Sequence, residues 1–242
     1  MHVLCTKGIF MLIYGINPMV EAAKNEIYPE MFYLQKGKDK NPRVKELITL
    51  LERGGVKPSY LTNLNKICPQ QAVHQGVAGD YRHRFIWPVR DLPQDCEKIV
   101  MLDGISDPHN FGAALRVCEC FGINNVIYFD GDSSGLTSVA VKSSAGAAFQ
   151  VSLYEGNLNK AIQFLKERDF SIYALAGEGE QSIYDLKPKG KFCFVIGSEG
   201  KGVRFNICRQ ADDLVHIPMQ GALNSLNVSC ALSAALAVVN QP

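Results

Sequence analysis

The sequence FCFVIGSEGKG, residues 192–202, predicts the element around which the fold is organised. Its apolar run, Phe192–Ile196, is typical of a buried β-strand. The residues Gly197–Gly200 follow at once and predict a tight turn, because glycine adopts backbone conformations that other residues avoid. A turn of this kind also lets a small ligand approach the backbone closely.

The sequence HIPMQGALNSLNVSCA, residues 216–231, repeats this plan. A strand over Leu214–Ile217 is stopped by Pro218, and a loop over residues 219–225 leads into a helix that begins near Asn227. We expect the two strands to lie side by side in a parallel sheet. Ligands of open α/β sheets bind at the carboxyl ends of the strands, so the two loops are the predicted site.

From Ile99 onward, strand and helix patterns alternate, which predicts an α/β fold with a mostly parallel sheet covered by helices. The predicted strands are Ile99–Leu102, Val126–Phe129, Ser171–Leu175, Phe192–Ile196 and Leu214–Ile217. The predicted helices are Phe111–Cys120, Val139–Ala145, Leu158–Glu167, Phe205–Gln210 and Asn227–Val239. Pattern alone favours an unknotted, doubly wound sheet, because threaded chains are rare.

A smaller α/β unit is predicted before this segment, over residues 11–78. Its predicted elements are a strand from Met11, a helix at Pro18–Lys24, a strand at Met31–Leu34, a helix at Pro42–Arg53, a strand at Ser59–Leu61, a helix near Leu64–Pro69 and a strand near Gly76. Residues 1–10 fit no pattern and are interpreted as an extension. Residues 79–98 contain prolines and alternating charge and are predicted to be a linker to the second domain, residues 99–242.

Composition favours a folded, cytoplasmic protein. The 242 residues are 47% hydrophobic and 20% charged, which is enough apolar surface for a sizeable core. No apolar run reaches the roughly 18 residues that a membrane span needs, and the N-terminus lacks the order of a signal peptide. The eight cysteines include no CxxC pair. They predict buried free thiols rather than disulfides, and we expect no metal site.

Charge is distributed unevenly along the chain. Residues 1–90 contain 13 Lys and Arg against 7 Asp and Glu, whereas residues 91–242 contain 12 against 17. A basic first third is typical of a protein that binds a polyanion, because Lys and Arg displace counterions from phosphates. An ordinary solvated surface explains the same pattern equally well. The basic residues clustered in and after one predicted loop are Lys36, Lys38, Lys40, Arg43 and Lys45.

Two glycine patterns fail as nucleotide-binding motifs. After the strand Ser171–Leu175, the sequence Gly177-Glu178-Gly179 lacks the third glycine of a dinucleotide-binding fingerprint and places acids where a pyrophosphate would lie. The pair Gly200-Lys201 lacks the earlier glycine and the following Ser or Thr of a P-loop.

Three longer motifs resemble one known family. They are LDGISDPHNFGAALR at Leu102–Arg116, FVIGSEGKGV at Phe194–Val203 and IPMQGALNSLNVS at Ile217–Ser229. In order and spacing they are similar to the SpoU/TrmH-type RNA ribose 2′-O-methyltransferases of the trefoil-knotted SPOUT class. The resemblance covers residues 99–239 and, more loosely, residues 14–78. It implies a deep trefoil knot in the second domain and a ribosomal-protein-like, RNA-binding first domain.

The same resemblance implies that S-adenosylmethionine binds in turns at three strand ends. The residues it assigns to the cofactor are Leu175, Ala176, Gly177, Ile196, Gly197, Ile217, Met219, Ser225 and Leu226. Ordinary glycine turns are the alternative explanation. Transfer of a methyl group that the cofactor already carries in activated form needs no metal.

The residues that the resemblance assigns to catalysis are Arg116, Asn110, Glu199, Asn227 and Ser225. Arg116 matches the catalytic arginine of the family. A ribose 2′-hydroxyl is a poor nucleophile, and a fixed guanidinium stabilises the charge that builds on its oxygen during attack. Asn227 and Ser225 are expected to orient Arg116 and the cofactor loop. Glu199 is expected to hold the turn or the ribose.

Simpler roles explain some of these residues as well. Asn110 is a favourable N-cap for the predicted helix. Arg116 lies among apolar residues, where a surface salt bridge is the alternative to catalysis. His109 matches no required histidine of the family and is assigned to an RNA contact. His74, in the first domain, is assigned a structural role, and Arg82, Arg84 and Arg90 are further candidates for RNA binding.

The sequence is therefore interpreted as an S-adenosylmethionine-dependent RNA 2′-O-methyltransferase, most similar to the branch that acts on a guanosine of 23S rRNA. A tRNA guanosine 2′-O-methyltransferase is the alternative enzyme, although that branch usually lacks the first domain. A non-catalytic RNA-binding or ribosome-assembly factor is the alternative from another class. The helix Val228–Val239 is small on nearly every face and must pack closely on a neighbour, and the family implies a homodimer.

Overall fold

A computed structural model of the chain describes residues 9–70, 72–83, 85–222 and 225–240, without the side chains of residues 9 and 10. Most of the interval interpreted as an extension, residues 1–10, lies outside the described residues. The strands form two sheets, one of four strands and one of eight. Within the described residues, no helix is both long and apolar enough to cross a membrane.

The first sheet belongs to the N-terminal α/β unit. Its elements are β1 (Ile9–Tyr14), α1 (Ile16–Lys24), β2 (Met31–Gln35), α2 (Pro42–Arg53), β3 (Pro58–Leu61) and β4 (Val77–His83). The strand order is β1-β4-β2-β3, with β4 antiparallel to both neighbours and β2 parallel to β3. The helix predicted near residues 64–69 is wrong in extent, because only a short 3₁₀ turn forms at Leu64–Lys66.

The predicted linker over residues 79–98 contains two strands. Residues 79–83 complete β4, and Ile86–Pro88 form β5, which joins the larger sheet. The alternating charge suggested a linker. In the structure it reflects a strand with one solvated face, since Tyr81 is buried while Arg82 is exposed. The interval predicted to be a linker therefore includes regular strands that belong to both sheets.

The remaining elements are the strands of the second sheet and the helices that follow them in the chain. They are β5, β6 (Lys98–Asp103), α3 (Pro108–Cys120), β7 (Asn125–Tyr128), α4 (Ser138–Ser143), β8 (Ser152–Glu155), α5 (Leu158–Lys166), β9 (Ser171–Leu175), β10 (Gln181–Ser182), β11 (Phe192–Gly197), α6 (Phe205–Cys208), β12 (Asp213–His216) and α7 (Val228–Val239). The strand order is β10-β12-β9-β11-β6-β7-β8-β5, and every neighbouring pair is parallel. The α/β architecture expected from the sequence is confirmed, whereas β8 and β10 were not predicted. The trefoil knot remains a prediction from resemblance.

The strands β11 and β12 do not lie side by side as expected. Strand β9 lies between them, with Cys193 of β11 opposite Ile172 and Leu214 of β12 opposite Ala174. The expectation was wrong because it considered only the two segments that form β11 and β12. The order of strands along the chain does not determine their order in a parallel sheet. The ends of β9, β11 and β12 nevertheless meet at one edge.

The two faces of the large sheet bury separate sets of helices. Val100 and Leu102 of β6 face the core that contains α3, α4 and α7, whereas Ile99 and Met101 face the core that contains α5 and α6. The first core continues into the N-terminal unit, where α4 packs against β1. There the Ser138 hydroxyl donates to the Leu12 carbonyl oxygen at 2.6 Å.

Candidate active site

A cleft of about 580 Å³ opens where β9, β11 and β12 end, and α7 closes one side of it. Every residue that the sequence assigned to the cofactor lines this cleft: Leu175, Ala176, Gly177, Ile196, Gly197, Ile217, Met219, Ser225 and Leu226. The charged residues Glu178, Glu199 and Lys201 also line it. The cleft therefore offers apolar walls with a small set of charged groups of both signs.

The turn after β11 is folded so tightly that Gly197 admits no side chain. A Cβ atom on Gly197 would lie 1.9 Å from the carbonyl carbon of Gly202 and 2.2 Å from the backbone nitrogen of Val203. Gly202 donates its N–H to the Ser198 carbonyl oxygen at 2.9 Å and has a positive φ of 65°. The loop that carries Glu199 thus folds back on its own strand, which a larger residue at 197 would prevent.

A hydrogen-bonded chain joins residues from all three sequence motifs beside the cleft. Asn227 donates from Nδ2 to Asn110 Oδ1 at 2.9 Å, and Asn110 donates from Nδ2 to Glu199 Oε2 at 3.4 Å. The remaining side-chain oxygen of Asn227 accepts from the backbone N–H and the hydroxyl of Ser229, at 3.0 and 2.7 Å. The chain fixes the amide of Asn110 between the start of α7 and the glycine turn.

The N-cap explanation for Asn110 is wrong. Helix α3 begins at Pro108, and its N-cap is Asp107, whose Oδ1 accepts from the His109 backbone N–H at 2.8 Å. Pro108 occupies the first helical position, where proline is favoured. The sequence pattern predicted that the helix begins at Phe111, three residues later. Asn110 lies in the first turn, so its side chain is available to Glu199 and Asn227.

Arg116 lies apart from this network on the exposed surface of α3. It lines neither the cleft nor the cavity beside it, and it makes no ion pair or hydrogen bond within the described residues. The salt-bridge explanation thus finds no partner in that part of the chain. Within its own chain Asn227 makes no hydrogen bond to Arg116, since its amide donates to Asn110 and its oxygen accepts from Ser229. Ser225 lines the cleft.

A second cavity of about 430 Å³ adjoins the cleft and was not predicted. It shares the wall formed by Ser198 and Glu199 and extends to the end of β6. There the buried Asp103 carboxylate, 1% exposed, accepts from the Arg204 backbone N–H at 2.8 Å and lies 2.6 Å from Arg204 Nη2. Arg204 also pairs with Asp132. Asp103, a carboxylate at the end of a strand that is buried from Ile99 onward, was the one local signal of a polar site here, although it does not reveal its distant partners.

The basic residues proposed for RNA binding lie away from the cleft. Lys36, Lys38, Lys40, Arg43 and Lys45 are all exposed, around the loop after β2 and the first turn of α2. His109 is exposed at the start of α3. Arg82 and Arg90 lie near Glu30 and Asp91, at 4.0 and 3.9 Å. Arg84 lies outside the described residues.

The cysteines and histidines of the described chain form no metal site, since no three His, Cys, Asp or Glu side chains in it are grouped to hold an ion. Cys68, Cys96, Cys118 and Cys193 are buried free thiols, whereas Cys120 and Cys230 are exposed. Burial raises the pKa of the Cys118 and Cys193 thiols well above the usual value. These two thiols are therefore core residues without nucleophilic character.

Family models match both parts of the chain. The SpoU rRNA Methylase family model matches residues 97–237, and the model described as RNA 2′-O ribose methyltransferase substrate binding matches residues 12–84. The chain is 36% identical over 231 residues to the 23S rRNA (guanosine-2′-O-)-methyltransferase RlmB of Escherichia coli strain K12, covering 91% of this chain and 93% of that protein. It is 33% identical over 236 residues to the protein of the same name from Yersinia pestis, covering 93% and 94%.

Solved structures share the fold. The SpoU methyltransferase AviRb from Streptomyces viridochromogenes, in complex with AdoMet, superposes with a TM-score of 0.78 at 19% identity, covering 96% of this chain and 89% of that one. An AdoMet-bound rRNA methyltransferase from Sinorhizobium meliloti gives a TM-score of 0.78 at 21% identity, covering 94% and 85%. The architecture described above is therefore one that known methyltransferases adopt.

Proposed function

The chain belongs to the SpoU rRNA methylase family, and from this premise we propose that it methylates the ribose 2′-hydroxyl of a guanosine in 23S rRNA, using S-adenosylmethionine. The observation that carries the proposal is the hydrogen-bonded chain from Asn227 through Asn110 to Glu199 beside a cleft lined by all the residues assigned to the cofactor. The protein is an RNA methyltransferase of the cytoplasm in this proposal, and its first α/β unit binds RNA.

The cleft fits S-adenosylmethionine in size and in chemistry. A volume of about 580 Å³ lies within the usual range for sites that enclose a small molecule. The apolar side chains of Ile196, Ile217 and Leu226 suit an adenosine ring, and the charged groups at the cleft suit a ligand that carries both signs of charge. When bound, the cofactor supplies a methyl group on a positively charged sulfur.

The protein's own residues then position the acceptor oxygen and stabilise charge on it. Asn110 and Glu199, held by Asn227, offer a donor and an acceptor at the boundary of the cleft and the second cavity, where a ribose hydroxyl can be oriented. Arg116 supplies the guanidinium that stabilises the oxygen as negative charge develops during attack. Ser225 contributes to the cleft wall.

Arg116 does not line the cleft of its own chain, which supports a homodimer in which α3 serves the partner's cleft. Helix α7 packs against α3 and carries a stripe of small residues on its solvent side: Cys230, Ser233, Ala234 and Ala237. Their spacing places them on one helical face, and small side chains allow close helix packing. We propose this stripe as the dimer contact.

The function is tested by methylation of purified 23S rRNA. Wild-type protein with labelled S-adenosylmethionine is expected to introduce one 2′-O-methylguanosine, located by primer extension at low nucleotide concentration. Methylation of tRNA with none of 23S rRNA would transfer the proposal to the tRNA alternative. RNA binding without methyl transfer to either RNA would support the assembly-factor alternative. Calorimetry that finds NAD bound in preference to S-adenosylmethionine would contradict the cofactor assignment.

Arg116 is tested by mixing two inactive variants. If each active centre takes Arg116 from the partner, a mixture of Arg116→Ala protein with a Gly197→Ala protein that cannot bind cofactor should recover part of the wild-type rate. Recovery is expected because a mixed dimer contains one intact cleft faced by an intact Arg116. If the mixture is as inactive as its two components, Arg116 acts at the cleft of its own chain.

A further inference from the structure

Phe205 is the most exposed large apolar side chain in the part of the chain that the structure describes, with 76% of its surface accessible. It is the first residue of α6, a single helical turn. The helix does not need Phe205 for its own packing, because Ile207 is completely buried and anchors the turn to the core below. An aromatic ring that the fold leaves exposed is free to contact another molecule, and aromatic side chains are enriched where proteins bind partners.

The ring lies on the face of the sheet opposite to the proposed dimer contact. Helix α6 packs with α5 on one face of the large sheet, whereas α7 packs on the other. A homodimer formed through α7 would leave Phe205 exposed. The partner of Phe205 is therefore something other than the second copy in that dimer.

One cation without a carboxylate partner in the described residues lies beside Phe205. The guanidinium carbon of Arg209 lies 6.0 Å from the ring centroid. Arg204, the preceding residue, lines the second cavity, and its charge is balanced by Asp103 and Asp132. Within the described residues, Arg209 and Lys201 make no ion pair with a carboxylate, so their charges remain available to an anionic partner.

A flat ring beside an unpaired guanidinium is the arrangement that binds unpaired bases. Aromatic side chains stack on the faces of single-stranded bases, and arginine adds cation–π attraction and a phosphate contact. Inside the second cavity the carboxylates of Asp103, Asp107 and Asp132 disfavour phosphate. The nucleic-acid backbone is therefore expected outside the cavity, on the side of Arg204, which Phe205 follows directly in the chain.

We propose that Phe205, supported by Arg209, stacks on an unpaired base of the RNA that neighbours the methylated nucleotide. The inference rests on the proposed function, because it requires RNA at the second cavity. It goes beyond that function by assigning a recognition contact to a residue outside the three family motifs. The contact acts on RNA binding and leaves cofactor binding unchanged.

The test uses the full-length protein and the shortest fragment of 23S rRNA that wild type methylates, with 2-aminopurine replacing one unpaired base at a time. Stacking quenches 2-aminopurine fluorescence, so one position beside the target should be quenched by wild type and not by Phe205→Ala. Phe205→Ala should bind the fragment about 10-fold or more weakly, as expected for loss of one base–aromatic stack. Phe205→Trp should restore both signals.

Tyr184→Ala is the matched control, because Tyr184 is also an aromatic residue with 64% exposure and adjoins α7 rather than α6. The control should bind RNA as wild type does, and the melting temperature of Phe205→Ala should be unchanged. Equal weakening by both variants, or wild-type RNA binding by Phe205→Ala, would overturn the inference while leaving the methyltransferase proposal in place. A wild-type protein that methylates no RNA would overturn both.

Discussion

At the scale of single residues, Gly197 shapes the cleft at the ends of β9, β11 and β12 by having no side chain. Its neighbours in the folded turn are the backbone atoms of Gly202 and Val203, which cannot move aside as the end of a flexible side chain could. The sequence predicted a turn at Gly197 because glycine adopts backbone conformations that other residues avoid. The structure gives a different reason, because the space beside Gly197 is filled by the returning loop.

We therefore expect Gly197→Ala to lower the free energy of unfolding by about 2 kcal/mol or more, the scale of overpacking a filled site. For a chain of this size, that lowers the melting temperature by about 5 °C or more. Cofactor binding measured by calorimetry should be lost. Gly177→Ala is the stability control, because nothing lies within 4 Å of its Cβ position and its φ is ordinary. Equal melting temperatures for the two variants would contradict the argument.

Arg116→Ala should lower the rate of methyl transfer in a single turnover by roughly 10²-fold, the cost of removing one donor that acts on transition-state charge. Calorimetric affinity for S-adenosylmethionine and the melting temperature should stay at wild-type values, because Arg116 is exposed and has no contact in the cleft. A structural arginine would behave in the opposite way, losing thermal stability while the folded protein kept its turnover.

His74 makes the stability of the first α/β unit depend on pH. Burial and, to a lesser degree, the charge of Lys38 lower its pKa below the usual 6.5. The ring accepts from the Gly76 backbone N–H through Nδ1 at 3.0 Å, and its Nε2 lies 2.8 Å from Asn65 Oδ1. A protonated ring cannot accept from Gly76, so the neutral form is the one that the fold requires.

Because the folded pKa is lowered, the contribution of His74 should be complete above pH 6.5 and be lost as the pH falls through the folded value. We expect urea denaturation of wild type to show a larger loss of stability between pH 8 and pH 5 than denaturation of His74→Gln. The His74 ring signals in an NMR titration should move with a midpoint below 6.5. A midpoint at or above 6.5 would contradict the prediction.

At the scale of secondary-structure elements, local signals decided which boundaries could be read from the sequence. Helix α2 was predicted with its observed bounds, because Asn41 caps it, Pro42 begins it and its buried side recurs at Val44, Leu47 and Leu51. Strand β10 was missed because it has only two residues, and β8 because only its two central positions, Leu153 and Tyr154, are apolar. Pairing with longer neighbours makes them strands, and that information is not local.

The candidate site, like the secondary-structure elements, was predicted only in part from the sequence. Residues within the three motifs were located because their identities are distinctive, and all of the predicted cofactor residues line one cleft. The second cavity could not be predicted, because it depends on Arg204 reaching Asp103 and Asp132 from elements far apart in the chain. The alternative N-cap role of Asn110 was wrong for a local reason, because α3 begins at Pro108 and Asp107 caps it.

A substitution at Asn227, the N-cap of α7, can separate the capping of that helix from the hydrogen-bonded chain through Asn110 to Glu199. Asn227→Asp keeps an oxygen for the Ser229 N–H and loses the donor to Asn110. We expect the melting temperature to change little, while the single-turnover rate falls by about 10-fold, since one neutral hydrogen bond is lost and a second carboxylate is placed near Glu199.

Asn157→Ala is the complementary control. Asn157 caps α5 by accepting from the Lys160 N–H at 3.2 Å, away from the cleft. Its replacement should cost about 1 kcal/mol of stability, the usual value of an N-cap, and leave turnover unchanged. If Asn227→Asp kept the wild-type rate, the hydrogen-bonded chain would be structural only.

At the scale of the whole molecule, the proposed dimer contact can be removed by a single charge. Ala237 is exposed on the small-residue stripe of α7. We expect sedimentation to find a dimer of the wild type at micromolar concentration and a monomer of Ala237→Glu, because a buried carboxylate without a partner is costly. Gln163→Glu adds the same charge to an exposed position of α5 on the opposite face and should remain dimeric. A monomeric wild type would contradict the prediction.

The position of β9 between β11 and β12 also has a consequence for the timing of synthesis. The cleft needs residue 175 and residue 231 at the same edge, so a nascent chain cannot hold the cofactor until α7 has left the ribosome. The N-terminal unit, whose sheet is complete at residue 83, can fold well before that. Each newly made molecule would therefore carry a folded basic surface, able to meet ribosomal RNA, for some time before it could modify any nucleotide.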